Sequence, residues 1–393
     1  MDSSRSLTII GASTRAAAMS AVRGGWQPCC IDAFADVDLT RLVKVIHLPE
    51  YPRGIAKAAR ELPPAPWIYT GGLENRSRLV HGIATRTPLW GNSAEVLRQV
   101  RDPFHWTAIL HQAGFPTLDV RPFDNPPRPD GTWLRKPIRS AGGIQIERWT
   151  DPKPTSRRFF FQRIANGVSY SATFLATSCT QGNDVRLVGI VRHIADRHGL
   201  HAPPFGWCGG VTVRKLAGVA TESITQVGRI LANQCRLTGL FGIDFLWDGE
   251  TVWPVEINPR YTATGELWDA VYQRSLIADH IDACKGIASW PTEMEPTATA
   301  AKLIVYAPRT LIIPNQFPEA MFRQITQSNS RELPPFADIP HADTNIPASW
   351  PICTVTAVSD SESATLGILR KRLAWLAEQL PSSEQDIAWH CQF

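Results

Sequence analysis

The chain has 393 residues and a mass of 43.5 kDa. At roughly 100–200 residues per domain it should hold two or three. Hydrophobic residues make up 44% and charged ones 19%, which supports a sizeable core and excludes wholesale disorder. Forty basic residues against 36 acidic ones leave +4, with 32 Arg and eight Lys scattered, so no nucleic-acid or membrane partner is expected.

The first apolar run, Leu7–Ile10, is followed by Gly11 and an Ala-rich stretch, reading as strand, tight turn and helix. Four residues are too few for a leader or a membrane span, so a soluble, cytoplasmic protein is expected. A second apolar segment, Pro28 to Asp32, ends on an acid where a second parallel strand should end. This is the opening of a doubly wound α/β unit, but with Gly11 alone it carries no GxGxxG fingerprint. Trp67-Ile68-Tyr69 reads as a strand end before Gly71-Gly72-Leu73-Glu74-Asn75. That turn either faces a substrate or is a plain glycine turn with an acid opening a helix.

Asn92-Ser93-Ala94-Glu95 starts a helix, Asp102-Pro103 caps another, and Gly114 should end it. The turn-rich stretch 122–130 precedes short strands expected at 133–137, 144–149, 159–164, 170–176 and 185–194. Ile224, Val227 and Leu231 mark one face of an amphipathic helix. Two more strands, 241–247 and 251–257, flank Asp248-Gly249-Glu250. Residues 286–300 read as a linker, followed by a mostly β segment and a helix over 366–380. The eight cysteines, at 29, 30, 179, 208, 235, 284, 353 and 391, include no CxxC pair and no zinc spacing. Reduced thiols are therefore expected.

Chemistry concentrates in two places. In the first, Gly242 to Arg260, Glu256 and Asn258 stand two apart and share a strand face. Their hard oxygens suit Mg²⁺, and Asp244 on the neighbouring strand can complete the set. A two-residue Asp248-Gly249 turn would pair Asp244 with Trp253 and leave it on the wrong face for Glu256. Either a three-residue loop pairing it with Pro254, or a bulge, is required. In the second, Lys136 at a strand end is followed by Ser140-Ala141-Gly142-Gly143. Adjacent glycines can wrap an anion with backbone N–H groups, although the segment alone also fits an ordinary hairpin.

Together these parts resemble the ATP-grasp superfamily. The resemblance implies a Rossmann-like pre-ATP-grasp domain over 1–100, an ATP-grasp domain over 101–290 and a small β-rich C-terminal domain over 296–393. The lid subdomain, at about 117–165, would be mobile. The fold class is therefore α/β, with α+β character in the catalytic part. Carried over residue by residue, Lys136 contacts phosphate, with Ser140, Gly142 and Gly143 in the loop that closes on the triphosphate. Gln162, Arg163 and Ile164 line adenine, and Ser169 lies after that hinge. Asp244, Glu256 and Asn258 hold magnesium, expected as two ions with Mn²⁺ as an alternative, and Arg260 steadies the transferring charge. Two positions depart from the family: Pro103 stands where a lysine is usual, and Ser169 where an acid is.

Within the superfamily the chain looks most like predicted ATP-dependent carboligases, on GGLEN, GNSAEVLRQVRDP, RKPIRSAGG and the late ADIPHADTNIP…PICTV segment. That group, which includes tyramine–glutamate ligase, is associated with methanofuran- and tetrahydromethanopterin-type carriers. The implied function is carboxylate–amine ligation through an acyl phosphate, on small-molecule substrates, by a possible homo-oligomer. The alternatives are a biotin-carboxylase-like enzyme, although no Met-Lys-Met occurs, and a non-catalytic nucleotide-binding module. Trp207 is open to two readings, a buried structural residue or a platform for a flat amine. Cys208 lacks an evident histidine to activate it, and His193 is expected to be structural unless the fold brings it into the cleft.

Overall fold

A computed structural model describes residues 5–140, 142–154, 156–179, 182–195, 198–291, 294–327, 333–380 and 389. Ser6–Ile10, Gln27–Asp32, Lys44–His47 and Trp67–Tyr69 form a parallel sheet with the first strand between the second and fourth. Ile9, Ile10, Ile31 and Ile68 are buried, as short apolar runs should be in a sheet covered on both faces. The strand order switches between the first and fourth strands, so the turns after Ile10 and Tyr69 lie side by side. Gly11 permits this: a Cβ there would lie 1.8 Å from Thr70 Oγ1.

The segment expected to be the lid forms an antiparallel sheet in the order Val120–Pro122, Phe159–Arg163, Trp133–Pro137, Glu147–Arg148. The strand expected over 144–149 is reduced to Glu147–Arg148. Gly142, Gly143 and Gln145 all have positive φ, and that curl prolongs the loop before pairing can begin.

The third sheet runs Val252–Asn258, Gly239–Trp247, Val168–Cys179, Gly182–His193, Gly209–Val213, Thr299–Tyr306, Pro351–Ser359, Phe336–Ala337. Helix Gly218–Gln234 lays Ile224, Val227 and Leu231 on it, against the stacked rings of Phe174 and Phe241. The C-terminal strands extend this same sheet, because Gly209 and Gly210 pair with Leu303 and Lys302. That segment also carries helices Phe317–Thr326 and Glu362–Glu378. The latter starts earlier than the expected 366, because Ser361 accepts the N–H of Ala364 as its cap. The proposed linker and C-terminal segment include 292–293, 328–332, 381–388 and 390–393, outside the described residues. Cys29, Cys30, Cys208, Cys235, Cys284 and Cys353 are free thiols, and Cys391 is outside the described residues. Among the described residues no helix is long and apolar enough to cross a membrane.

Two buried polar junctions lock the parallel sheet onto the large one. Arg15, at the start of the first helix, donates to both carboxylate oxygens of Glu266, at 2.5 and 3.0 Å, and of Asp338, at 3.0 and 3.2 Å. A guanidinium offers five donors in a fixed fork, so one residue can clamp two carboxylates. His280 is the other junction. Its Nδ1 accepts the Leu240 N–H at 2.7 Å, which leaves Nε2–H to donate to Trp90 O at 3.0 Å. Burial pushes its pKa down to about 4, because the fold accommodates only the neutral ring.

A depressed histidine pKa contributes stability that is complete above the unfolded value near 6.5 and is lost as pH falls toward 4. His280→Gln should therefore flatten the stability profile in that window, removing on the order of 3 kcal/mol of pH dependence. Urea unfolding midpoints at pH 4 to 7 measure this, and an unchanged profile contradicts it.

Candidate active site

Side chains from both sheets converge on one cleft of about 690 Å³ between the small antiparallel sheet and the large one. Gly239–Trp247 and Val252–Asn258 close around the loop 248–251, where Asp248 Oδ1 accepts the N–H groups of Glu250 and Thr251 at 2.9 and 2.7 Å. From the Trp247–Val252 pair a regular ladder would set Asp244 opposite Val255 and turn Glu256 to the other face. The ladder instead shifts between Asp244 and Phe245, with Phe245 opposite Pro254 and Asp244 opposite Glu256. Of the two routes allowed by sequence, the bulge is the one used, with Val255 as the extra residue. Pro254 suits it, since a proline cannot donate to a regular ladder.

Asp244 and Glu256 thus face one another, with Asn258 beside them: its Nδ2 donates to Asp244 Oδ2 at 3.1 Å. Burial, and then the neighbouring charge of Glu256, push the Asp244 pKa up to about 6. Burial also acts upward on Glu256, but Arg101 and Lys136 outweigh it and hold that acid below the usual carboxylate range. Two carboxylates and an amide oxygen are hard donors, and their mutual repulsion is what a divalent cation relieves. The donor set therefore fits magnesium. No three His, Cys, Asp or Glu side chains gather as a metal site among the described residues, and the oxygen donors that do gather are two carboxylates and the Asn258 amide.

Behind Asp244 runs a relay of hydrogen bonds. Ser171 Oγ donates to Asp244 Oδ1 and lies 2.7 Å from His193 Nε2, while Ser169 Oγ lies 2.9 Å from His193 Nδ1. Ser169, expected near the nucleotide, therefore borders the cleft while bonding His193. His193 itself lines the cleft, with Trp207 edge-on at 6.2 Å between centroids. Trp207 is half-buried on the same wall, held by Tyr306 through its carbonyl at 2.8 Å.

Lys136 is buried, and its Nζ donates to Gln162 Oε1 at 3.0 Å. Gln162 Nε2 in turn donates to Val255 O at 3.4 Å, so Gln162 joins the lysine strand to the bulge. Burial, then repulsion from Arg101, lower the Lys136 pKa against the pull of Glu256 and Asp244. Arg163 and Ile164 line the cleft, as do the apolar side chains Leu118, Leu134, Ile146 and Leu246. Arg163 also sits over the ring of Trp133 at 5.5 Å. Gly142 and Gly143 line the cleft, and Ala141 is outside the described residues. A Cβ on Gly143 would lie 2.0 Å from Phe205 O, so this loop touches the one carrying Trp207.

Arg101 went unnoticed in the sequence. Its Nη1 donates to Glu256 Oε1 at 2.5 Å and to Ile257 O at 3.3 Å, and its Nη2 donates to Ser140 O at 3.0 Å. The available signal was a basic residue directly before the Asp102 cap, in a chain lacking the usual lysine after it. The Gly71–Asn75 turn belongs to the site. Asn75 donates to Ser140 O at 3.1 Å, and Glu74 accepts from Arg260 Nε at 3.0 Å and Nη2 at 2.8 Å. Burial opposes the charge on Arg260, but Glu74 outweighs it and raises the arginine's pKa further. The Arg260 fork also reaches Asn258 Oδ1 at 3.4 Å, so it is held beside the carboxylate pair.

Residues 100–264 match the family model described as ATP-grasp domain. An L-amino acid ligase from Bacillus licheniformis is similar in structure, with 15% identity, TM-score 0.69, and 97% of this chain and 99% of that one covered. N5-carboxyaminoimidazole synthetase from Staphylococcus aureus, complexed with ADP, is 13% identical with TM-score 0.66, over 94% and 97%. Biotin carboxylase from Campylobacter jejuni is 13% identical with TM-score 0.69, over 96% and 92%. No curated protein matches the sequence.

Removing Glu74 strands a buried guanidinium, so Glu74→Gln and Arg260→Gln should be strongly non-additive. A double-mutant cycle on urea stability is expected to give a coupling of about 1–3 kcal/mol. Additivity would show that the pair contributes nothing to holding Arg260.

Proposed function

We propose that this chain, whose residues 100–264 match the ATP-grasp domain model, is an ATP-dependent carbon–nitrogen ligase that joins a carboxylate to an amine. The observation that carries this reading is the Asp244–Glu256 pair across the bulge, flanked by Asn258, Arg260 and Lys136 at one cleft. In the reaction proposed, a substrate carboxylate oxygen attacks the γ-phosphorus of ATP and ADP leaves, giving an acyl phosphate. The amine then attacks the acyl carbon and gives up a proton, phosphate departs with the C–O bond electrons, and an amide remains.

The apolar side chains Ile164 and Leu246 would border the adenine, and Lys136 with the Gly142–Gly143 loop would face the phosphates. Asp244, Glu256 and Asn258 would hold magnesium, which when bound supplies charge neutralisation and alignment of the phosphates. Arg260 would stabilise the transferring phosphoryl group and the oxyanion of the tetrahedral adduct. Its clasp by Glu74 and Asn258 holds the fork in place before substrate arrives, so little reorganisation is left for the reaction itself.

The substrates are assigned to the building blocks of a methanofuran- or tetrahydromethanopterin-type carrier, on the likeness of the GGLEN, RKPIRSAGG and ADIPHADTNIP segments to the carboligases linked to such cofactors. ADP release that requires both an added acid and an added amine tests the ligase reading. Release driven by bicarbonate alone points instead to carboxylation, and ATP binding with no turnover under any pairing points to a binding module. Arg260→Ala is expected to lose about 10²–10³ in turnover while ATP affinity changes little. Turnover near that of the parent protein would remove Arg260 from the mechanism.

A further inference from the structure

Arg101 stands at an elbow between two helices. Its backbone N–H donates to Leu97 O at 3.1 Å at the end of Ala94–Val100, and the next residue, Asp102, caps Pro103–Gln112. With both helix ends fixed, the side chain has a defined origin, and it reaches a hairpin 155 residues further along the chain. There Nη1 donates to Glu256 Oε1 at 2.5 Å, while Nη2 donates to Ser140 O at 3.0 Å. Asn75 donates to that same Ser140 oxygen at 3.1 Å, so the glycine loop is held at its root by two donors. Arg101 is 11% exposed and lines a small pocket that shares Lys136, Gly142, Gly143 and Glu256 with the cleft.

The bases around this site are held differently. Lys136 bonds a neutral amide, Gln162, and Arg260 is clasped by Glu74, an acid outside the magnesium donor set. Arg101 is bonded to Glu256, a member of that set. Burial works against the charge on Glu256, and Arg101 is the strongest of the groups that overcome it. An ion held by Glu256 would therefore sit within a few ångströms of a guanidinium, where like charges repel. A phosphate reverses the sign. The guanidinium fork matches phosphate oxygens, and its pocket is bounded by the lysine and glycines assigned to the phosphates. One residue thus opposes a bare cation and favours an anion at the same place.

We propose that Arg101 makes cation binding conditional on the nucleotide: it holds Glu256 against a bare divalent ion and yields that carboxylate when phosphates take over the guanidinium. This rests on the ligase reading, because the ligand it requires is a magnesium nucleotide. Linkage makes the effect mutual, so the cation strengthens nucleotide binding by the factor by which the nucleotide strengthens cation binding. Because Nη2 also holds Ser140 O, the same exchange bears on the loop that carries Gly142 and Gly143.

Two binding measurements on the full chain, with no acid or amine added, test this. Mn²⁺ alone is titrated through the loss of its free-ion paramagnetic resonance signal. Adenylyl imidodiphosphate, an ATP analogue with a non-cleavable bridge, is titrated with Mg²⁺ by calorimetry. Arg101→Gln should bind bare Mn²⁺ about tenfold more tightly than the parent, and the analogue about tenfold more weakly. Opposite shifts are the signature, since a residue that merely props the fold would weaken both. Adding Glu256→Gln should erase the Mn²⁺ gain. Arg101→Lys keeps the charge without the fork, so bare Mn²⁺ affinity should stay within about threefold of the parent, with analogue affinity between parent and Arg101→Gln. Urea midpoints confirm that the variants fold. Bare Mn²⁺ affinity unchanged or lowered in Arg101→Gln, a gain that survives Glu256→Gln, or an equal gain in Arg101→Lys each overturns the proposal, while analogue binding by the parent leaves the ligase reading standing. A parent protein that does not bind the analogue with Mg²⁺ overturns the ligase reading and this proposal with it.

Discussion

Two carboxylates held face to face across a bulged ribbon set the terms for everything around them. Asp244 and Glu256 repel one another, and left alone in a partly dry cleft they would not both stay ionised. The fold handles them unequally. Glu256 has Arg101 and Lys136 for company and stays ionised readily, whereas Asp244 is held by neutral donors, Ser171 and Asn258, and is pushed toward protonation. That asymmetry leaves Asp244 as the carboxylate whose ionised form a divalent cation would favour most.

The surrounding basic residues are in turn constrained by parts of the chain far away in sequence. Arg260 is clasped by Glu74 from the turn after the fourth parallel strand, and Arg101 spans from Glu256 to the backbone of the Lys136 loop. The N-terminal sheet is thus structurally part of the site. Its position is secured elsewhere by Arg15 between two carboxylates and by His280 between Trp90 and Leu240, where the polar groups are buried and satisfied. Such junctions tolerate little displacement, because breaking one leaves an uncompensated group out of water.

Much of this was legible before any coordinates. Glu256 and Asn258 share a face because strand residues alternate, and the need for a bulge or a longer loop followed from the same parity. Helix starts at Ser93 and Asp102 were marked by side chains that cap them. Less legible were partners that meet only through packing. His193 gave no local sign of facing Ser169 and Ser171, since all three lie on paired strands whose register depends on contacts elsewhere. Arg101 belongs to no local motif, and only packing carries the side chain before the Asp102 cap to the hairpin. Gln162, expected beside adenine, lines the cleft and also bonds Lys136 and Val255, partners that only packing supplies.

Local chemistry along the chain dictates the alternation that puts acid and amide on one strand face, the glycines that let a loop curl, and the apolar runs that make the parallel strands. These are local matters, settled by the pleat, by allowed backbone angles and by hydrophobic spacing. Packing of distant segments brings Glu74 onto Arg260, lets Arg101 bridge Glu256 to Ser140, and selects a bulge to align the acids. Those outcomes depend on which buried charges can find counter-charges once distant segments are packed, and no short stretch of chain encodes that choice.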